Sequence, residues 1–236
     1  MAQESGLRIG SFAGAPIIVE PAFLLLAAYV AVMDVMRGGA EALPGALVFV
    51  GVIFAAVLIH EFGHAAMAAA LRIPSKRIVV TFFGGYVQFE RPPQRRWHEI
   101  AVSAAGPGAN LLTWAVLLAA APTLANMISP TPLGIGFMSA LQSLALISLL
   151  LGAFNLLPGF PLDGGHIVRA GLSYIMSRRA ARIATAISGL AIAVLLVIAA
   201  VRFQLLWTAL IALLLGLAAW AELNAARTND QGAAAD

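Results

Sequence analysis

The chain has 236 residues, 61% of them hydrophobic and 11% charged, where an average soluble domain has roughly 45–50% and about 25%; a soluble fold is excluded and a polytopic membrane protein is expected. It contains no cysteine, which excludes disulfides, thiolate metal sites and a cysteine nucleophile, so any metal must be held by nitrogen and oxygen. The net charge is only +3, and the positive residues lie between apolar runs, the pattern of loops facing anionic lipid and not of a nucleic-acid surface.

Residues 1–16, MAQESGLRIGSFAGAP, lack the charged-then-apolar order of a cleaved signal peptide. The first apolar run, residues 17–36, is therefore expected to stay as a membrane helix, starting near Pro21, a residue suited to a first helical turn. The second predicted span, residues 44–71, contains VLIHEFGHAAMA (57–68), two histidines and a glutamate in an otherwise apolar run. Ionisable groups inside a membrane are expensive and point to function. His60 and His64 are four residues apart, so they project from one helix face, with Glu61 beside them. In H-E-x-x-H two imidazoles bind zinc and the glutamate handles the proton of the attacking water. With 4 His and 7 Glu in the chain, random placement gives this pattern only about 0.002 times, which sets the chance match aside. A cluster that merely glues helices together needs fewer ionisable groups than this.

Next comes RIVVTFFGGYVQFE (77–90), two short β-branched or aromatic segments flanking Gly84 and Gly85, which predicts a hairpin. It reads either as a plain amphipathic hairpin on the cytoplasmic surface or as an edge that captures an unwound substrate through Gly84, Gly85, Tyr86 and Val87 as an added strand. The third span, residues 97–121, starts at RRWHEI, where His98 reads as part of an interfacial aromatic-and-basic anchor. It also carries Gly106-Pro107-Gly108-Ala109-Asn110. The fourth span, residues 133–157, runs into NLLPGFPLDGG (155–165), whose Pro158, Gly159 and Pro161 forbid regular helix. Irregular backbone at membrane depth is tolerated where it lines a wet cavity. The fifth and sixth spans cover residues 181–201 and 204–223, and AARTNDQGAAAD (225–236) reads as a short disordered tail after a domain of residues 1–224.

Twelve of the fourteen basic residues fall on one side of these six spans, and only Arg37 and Arg202 on the other. The positive-inside rule then puts both termini in the cytoplasm. The histidines and Asp163 accordingly lie toward the cytoplasmic leaflet. A hydrolytic zinc usually takes a third protein ligand, and Asp163, a carboxylate near the end of another span on that side, is the candidate; otherwise it would serve as an ordinary helix N-cap.

His60-Glu61-Phe62-Gly63-His64, together with Asn155-x-x-Pro158-x-x-Pro161-Leu162-Asp163-Gly164, resembles the site-2 protease family of intramembrane zinc metalloproteases. The likeness covers nearly the whole chain, and Gly106–Asn110 resembles the family's third motif. The layout is similar to the compact subgroup typified by the sporulation factor that cleaves a pro-sigma factor; regulation by PDZ or CBS modules is not expected. The sequence departs from the family at His166, where many relatives have arginine; His166 reads as a polar residue at the start of the next helix or a partner of Asp163. The resemblance implies an all-α polytopic fold of about six transmembrane helices, with a short membrane-associated β-hairpin between helices 2 and 3 that dips beside the active site. It implies one Zn²⁺ held by His60, His64 and Asp163, with Glu61 as general base and acid. Asn155 and Asn110 are the candidate oxyanion donors; the resemblance favours Asn155, and Asn110 serves equally well as an interhelical hydrogen bond. The implied substrate is a membrane-anchored regulator such as an anti-sigma or pro-sigma factor, cut within or near its transmembrane helix. The alternatives are a zinc-handling transporter, for which ligands along the outer half of the path are missing, and a catalytically inactive scaffold, against which the intact Glu61 argues. No nucleic-acid partner is expected, and the oligomeric state is not legible. Thirteen Arg against one Lys, with abundant alanine, suggests a GC-rich prokaryotic source.

Overall fold

The computed structural model describes residues 6–82 and 84–228. Among the described residues, six helices are long and apolar enough to cross a membrane, one for each predicted span. The described residues fall into two compact units, one comprising residues up to 92 and 105–153, the other residues 93–104 and those from 154 onward.

In the first unit, strands β1 (Leu7–Phe12) and β2 (Ala15–Val19) form an antiparallel hairpin. Its two turn residues, Ala13 and Gly14, both have positive φ, as a two-residue hairpin turn prefers. Helices α1 (Pro21–Gly38) and α2 (Leu43–Ala70) follow, separated by a short 3-10 turn at Ala40–Ala42. They supply the long crossover a parallel pair requires, so β3 (Ser75–Thr81) returns parallel to β2, and β4 (Gly84–Phe89) pairs antiparallel with β3. The sheet order is β1-β2-β3-β4, leaving β1 and β4 as edges. The hairpin predicted at 77–90 is thus half of a four-stranded sheet. The N-terminal half escaped prediction because Ile17–Val19 continues into the apolar run of α1, and a short apolar run does not distinguish strand from helix.

The sheet rests on the histidine-bearing part of α2. Ile78, Val79 and Val80 are at most 1% exposed, and Ile78 packs with Ile17, Ala15 and Ala65 of α2, with Leu58 and Phe62 around them. Phe62, between Glu61 and Gly63, stacks on Phe12 of β1 at 4.3 Å. Helix α3 (Arg96–Met127) runs through Pro107 and Pro122 and passes the predicted end at 121, as membrane helices tolerate proline where neighbours re-satisfy the backbone. Helix α4 (Pro132–Asn155) stops two residues before the predicted 157.

The second unit contains the first turns of α3, a non-helical stretch at 156–162, then α5 (Asp163–Leu172), α6 (Arg178–Phe203) and α7 (Leu206–Thr228). The non-helical stretch is latched to α6. Phe160 N–H donates to the Thr185 carbonyl at 3.0 Å, and Ser188 Oγ donates to the Pro158 carbonyl. Gly159 meets Gly189 so closely that a Cβ on Gly159 would lie 2.7 Å from the Gly189 Cα. Gly164 and Gly165 have no room for a side chain either, because the backbone of 156–160 crosses them. The tail expected from residue 225 is helical as far as Thr228; its remainder, 229–236, lies outside the described residues.

Candidate metal centre

The site is built on α2. The helix places His60, Glu61 and His64 on a covered face, exposed by only 5%, 3% and 8%. Burying such groups requires partners, and α3 supplies one for His60. Asn110 Oδ1 accepts from His60 Nδ1 at 2.7 Å, while Asn110 Nδ2 donates to the Ala56 carbonyl at 3.0 Å. The amide's orientation is fixed by the Ala56 carbonyl, which can only accept. His60 therefore carries its proton on Nδ1 and keeps a lone pair on Nε2, the form a metal ligand needs. One helical turn away on each helix, Gly106 faces His64: a Cβ there would overlap the imidazole, meeting Nε2 first. Gly63, the third residue of the motif's interior, lies where the Ala105 carbonyl of α3 crosses α2, so no side chain fits there.

Asn110 therefore stands behind His60. It is wholly buried, and both ends of its amide are engaged in hydrogen bonds between α3 and α2. The sequence held a signal for this pairing. Gly106 and Asn110 are spaced by four residues, like His60 and His64, as two antiparallel helices in contact require.

His60 Nε2 and His64 Nε2 face each other at 3.2 Å. Two nitrogens bound to one tetrahedral zinc at about 2.0–2.1 Å are separated by about 3.3–3.4 Å, so the pair fits that ion. His60 and His64 thus offer two imidazole nitrogens from the first unit, and the carboxylate expected to join them, Asp163, belongs to the second. Asp163 is the first residue of α5, which follows the broken stretch after α4. The donor set of two imidazoles and one carboxylate suits zinc at a hydrolytic centre.

The start of β4 covers Glu61. A Cβ on Gly85 would lie 2.7 Å from Glu61 Cγ and 2.8 Å from Oε1, so only glycine lets the strand come this close. Gly84 has φ 130°, outside the range a side chain adopts readily. Tyr86 is 41% exposed and Val87 half-buried against the sheet core. Asn155 is the last residue of α4, half-buried. His166 sits three residues into α5, with Nδ1 2.9 Å from Arg169 Nη2. His98 stacks edge-on against Trp97 at 4.0 Å near the start of α3.

Residues 48–128 and 122–199 match the model of peptidase family M50. A putative zinc metalloprotease of Synechocystis sp. is 32% identical over 174 residues, 70% of this chain and 44% of that protein. A zinc metalloprotease of Methanocaldococcus jannaschii is 30% identical over 167 residues, 71% of this chain and 45% of that one. The putative zinc metalloprotease Rip3 of Mycobacterium tuberculosis is 36% identical over 120 residues, 51% and 30% of the respective chains. The chain thus spans less than half the length of the curated relatives it matches. In fold it is similar to the solved site-2 protease from Methanocaldococcus jannaschii, with a TM-score of 0.69 at 24% identity, covering 92% of this chain and 95% of that one.

Proposed function

We propose that this chain, which belongs to peptidase family M50, is a zinc-dependent endopeptidase that hydrolyses a peptide bond within or near a transmembrane helix of a membrane-anchored protein. The observation that carries the reading is the facing pair of His60 and His64 nitrogens at 3.2 Å, with Glu61 buried beside them and the His60 tautomer set by Asn110. In this reading His60, His64 and Asp163 hold one Zn²⁺. Bound there, zinc supplies a Lewis acid that polarises the scissile carbonyl and makes a water acidic enough to react near neutral pH.

The chain's own groups do the rest. Glu61 takes the proton of the attacking water on its carboxylate and returns it to the leaving amine. Asn110 keeps the His60 proton on Nδ1, so that Nε2 stays a ligand. Asn155 donates from its amide to the carbonyl oxygen as that oxygen gains charge, a role supported by the family resemblance alone. The lack of ligands along the outer half of the path in the sequence argues against transport, and the intact Glu61 against an inactive scaffold. A substrate such as an anti-sigma or pro-sigma factor fits this chemistry, and the positive-inside pattern supports cytoplasmic termini in a cell membrane. A cysteine placed at Thr228 should accordingly react with a membrane-impermeant thiol reagent from the cytoplasmic face; reaction from the other face overturns that orientation.

A helical substrate has its backbone hydrogen bonds closed internally and must be unwound before it can be cut. Strand β4 is a free edge of the sheet, and its first residues lie over Glu61. Gly84, Gly85, Tyr86 and Val87 thereby offer backbone donors and acceptors to an extended chain. N–H groups along an edge strand alternate between the neighbour strand and the open side, so proline at one of Tyr86 and Val87 removes an outward donor and spares the ladder. That variant should cleave about five- to tenfold more slowly with its zinc retained, the effect of one lost hydrogen bond worth about 1–1.5 kcal/mol. If both prolines cleave at the wild-type rate, β4 does not pair with substrate. The function itself is tested with the purified protein in lipid vesicles and a transmembrane peptide. Cleavage should stop with a zinc chelator and resume when zinc is restored; cleavage indifferent to the chelator contradicts the reading.

A further inference from the structure

We infer that Arg169 is a positioning residue for Asp163, acting with Glu99 through the short helix α5; the inference rests on the metal reading above. Helix α5 has only ten residues and follows a non-helical stretch, and a helix of that length does not hold itself. Its first residue is Asp163, so whatever fixes α5 fixes the carboxylate.

Arg169, two turns below Asp163, is the centre of a polar cluster linking four helices. Its Nε and Nη2 both donate to Glu99 Oε1 in the first turn of α3, at 3.2 and 2.5 Å. Its Nη1 lies 3.9 Å from Glu222 Oε1 on α7. Glu222 is in turn gripped by the fork of Arg182 on α6, with Nε to Oε1 at 2.7 Å and Nη2 to Oε2 at 3.2 Å. Two cations and two anions therefore alternate, and α5 is tied to α3, α6 and α7 at one point. Arg169 also reaches back along its own helix, donating from Nη2 to His166 Nδ1 at 2.9 Å. A guanidinium only donates, so His166 must accept on Nδ1 and carry its proton on Nε2. The His166 ring then lies 5.6 Å from the ring of Phe160, in the stretch latched to α6. Arg169 thus braces both α5 and the backbone that leads into Asp163.

The side chains of Arg169, Glu99 and Glu222 are 25%, 26% and 14% exposed. Single ion pairs so placed contribute little to folding stability. A planar fork holding two anions on different helices contributes direction instead. Groups that orient metal ligands from behind typically change metal affinity by about 10–100-fold when removed.

The test is zinc affinity, measured by chelator competition on the purified full chain, for Arg169→Met, Glu99→Gln and the double variant. Glu99→Gln keeps the shape of the side chain and carries the test if Arg169→Met folds poorly. Arg179→Met is the control, since Arg179 donates to the carbonyls of Ala226 and Arg227 at the end of α7. We expect each single variant to bind zinc about tenfold or more weakly, the double variant to lose no more than the worse single one, and the control to match wild type. Arg169→Lys should restore part of the loss. Wild-type affinity in Arg169→Met and Glu99→Gln, or an equal loss in the control, overturns the inference and leaves the metal reading standing. A wild-type protein that binds no zinc overturns the metal reading and this inference with it.

Discussion

Glu61→Gln should cut peptide hydrolysis by about 10²–10⁴-fold, the usual contribution of a positioned general acid–base, while the protein still binds one zinc. The substitution keeps the volume of the side chain, which matters because Glu61 is 3% exposed and the Gly85 backbone lies against its carboxyl group. Glutamine therefore packs as glutamate does. It cannot take a proton from water, and that is the step lost. The zinc ligands in this account are His60, His64 and Asp163, none of them altered. Single-turnover cleavage beside metal analysis separates the two effects. A variant that cleaves at the wild-type rate removes Glu61 from the chemistry. A transporter or an inert scaffold would show no change in its own behaviour.

Gly106→Val should weaken zinc binding by at least about 100-fold, the upper end for residues that orient metal ligands. The reason is steric. Any Cβ at position 106 falls on the His64 imidazole, with Cδ2 at 2.8 Å and Nε2 and Cε1 closer still. The ring cannot stay where its nitrogen faces His60, and α3 cannot retreat while Asn110 holds both His60 and the Ala56 carbonyl. Gly108, two residues on, has nothing within 4 Å of a built Cβ, so Gly108→Ala should bind zinc like wild type. Equal affinity for Gly106→Val and Gly108→Ala would mean that α3 does not back the histidines as described.

The chemistry of this chain was more legible in its sequence than the packing that supports it. H-E-x-x-H names its own helix face, because imidazoles four residues apart must share it and a membrane gives them no other reason to be there. The six spans were visible because bilayer thickness fixes their length and composition. The hairpin was visible from Gly84 and Gly85, although the structure places both glycines in β4, paired with Thr81 and Val80, and not at the turn. Strands β1 and β2 were not, since Ile17, Ile18 and Val19 read equally as the start of α1; only Pro21, at the first turn of that helix, marks the change. Helix α5 was signalled only by Asp163 as a possible helix N-cap and by the polar start at His166, because ten residues behind two prolines are too short to read as a span. Asn110 reads two ways in the sequence because a lone polar residue in a membrane helix has no direction until its neighbour is known. That neighbour is a long-range partner, fifty residues away in the chain. Glycine carried more than composition suggests. Gly63, Gly85 and Gly106 each make room for a specific group of the site, and nothing local to the sequence says which glycines do so.

The most direct measurement is a crystal structure of the zinc-loaded Glu61→Gln protein, with anomalous scattering collected at the zinc edge. The account predicts one anomalous peak per chain, bonded to His60 Nε2, His64 Nε2 and a carboxylate oxygen of Asp163 at about 2.0–2.2 Å. A zinc peak elsewhere, or one on the two histidines with Asp163 turned away from it, contradicts the account.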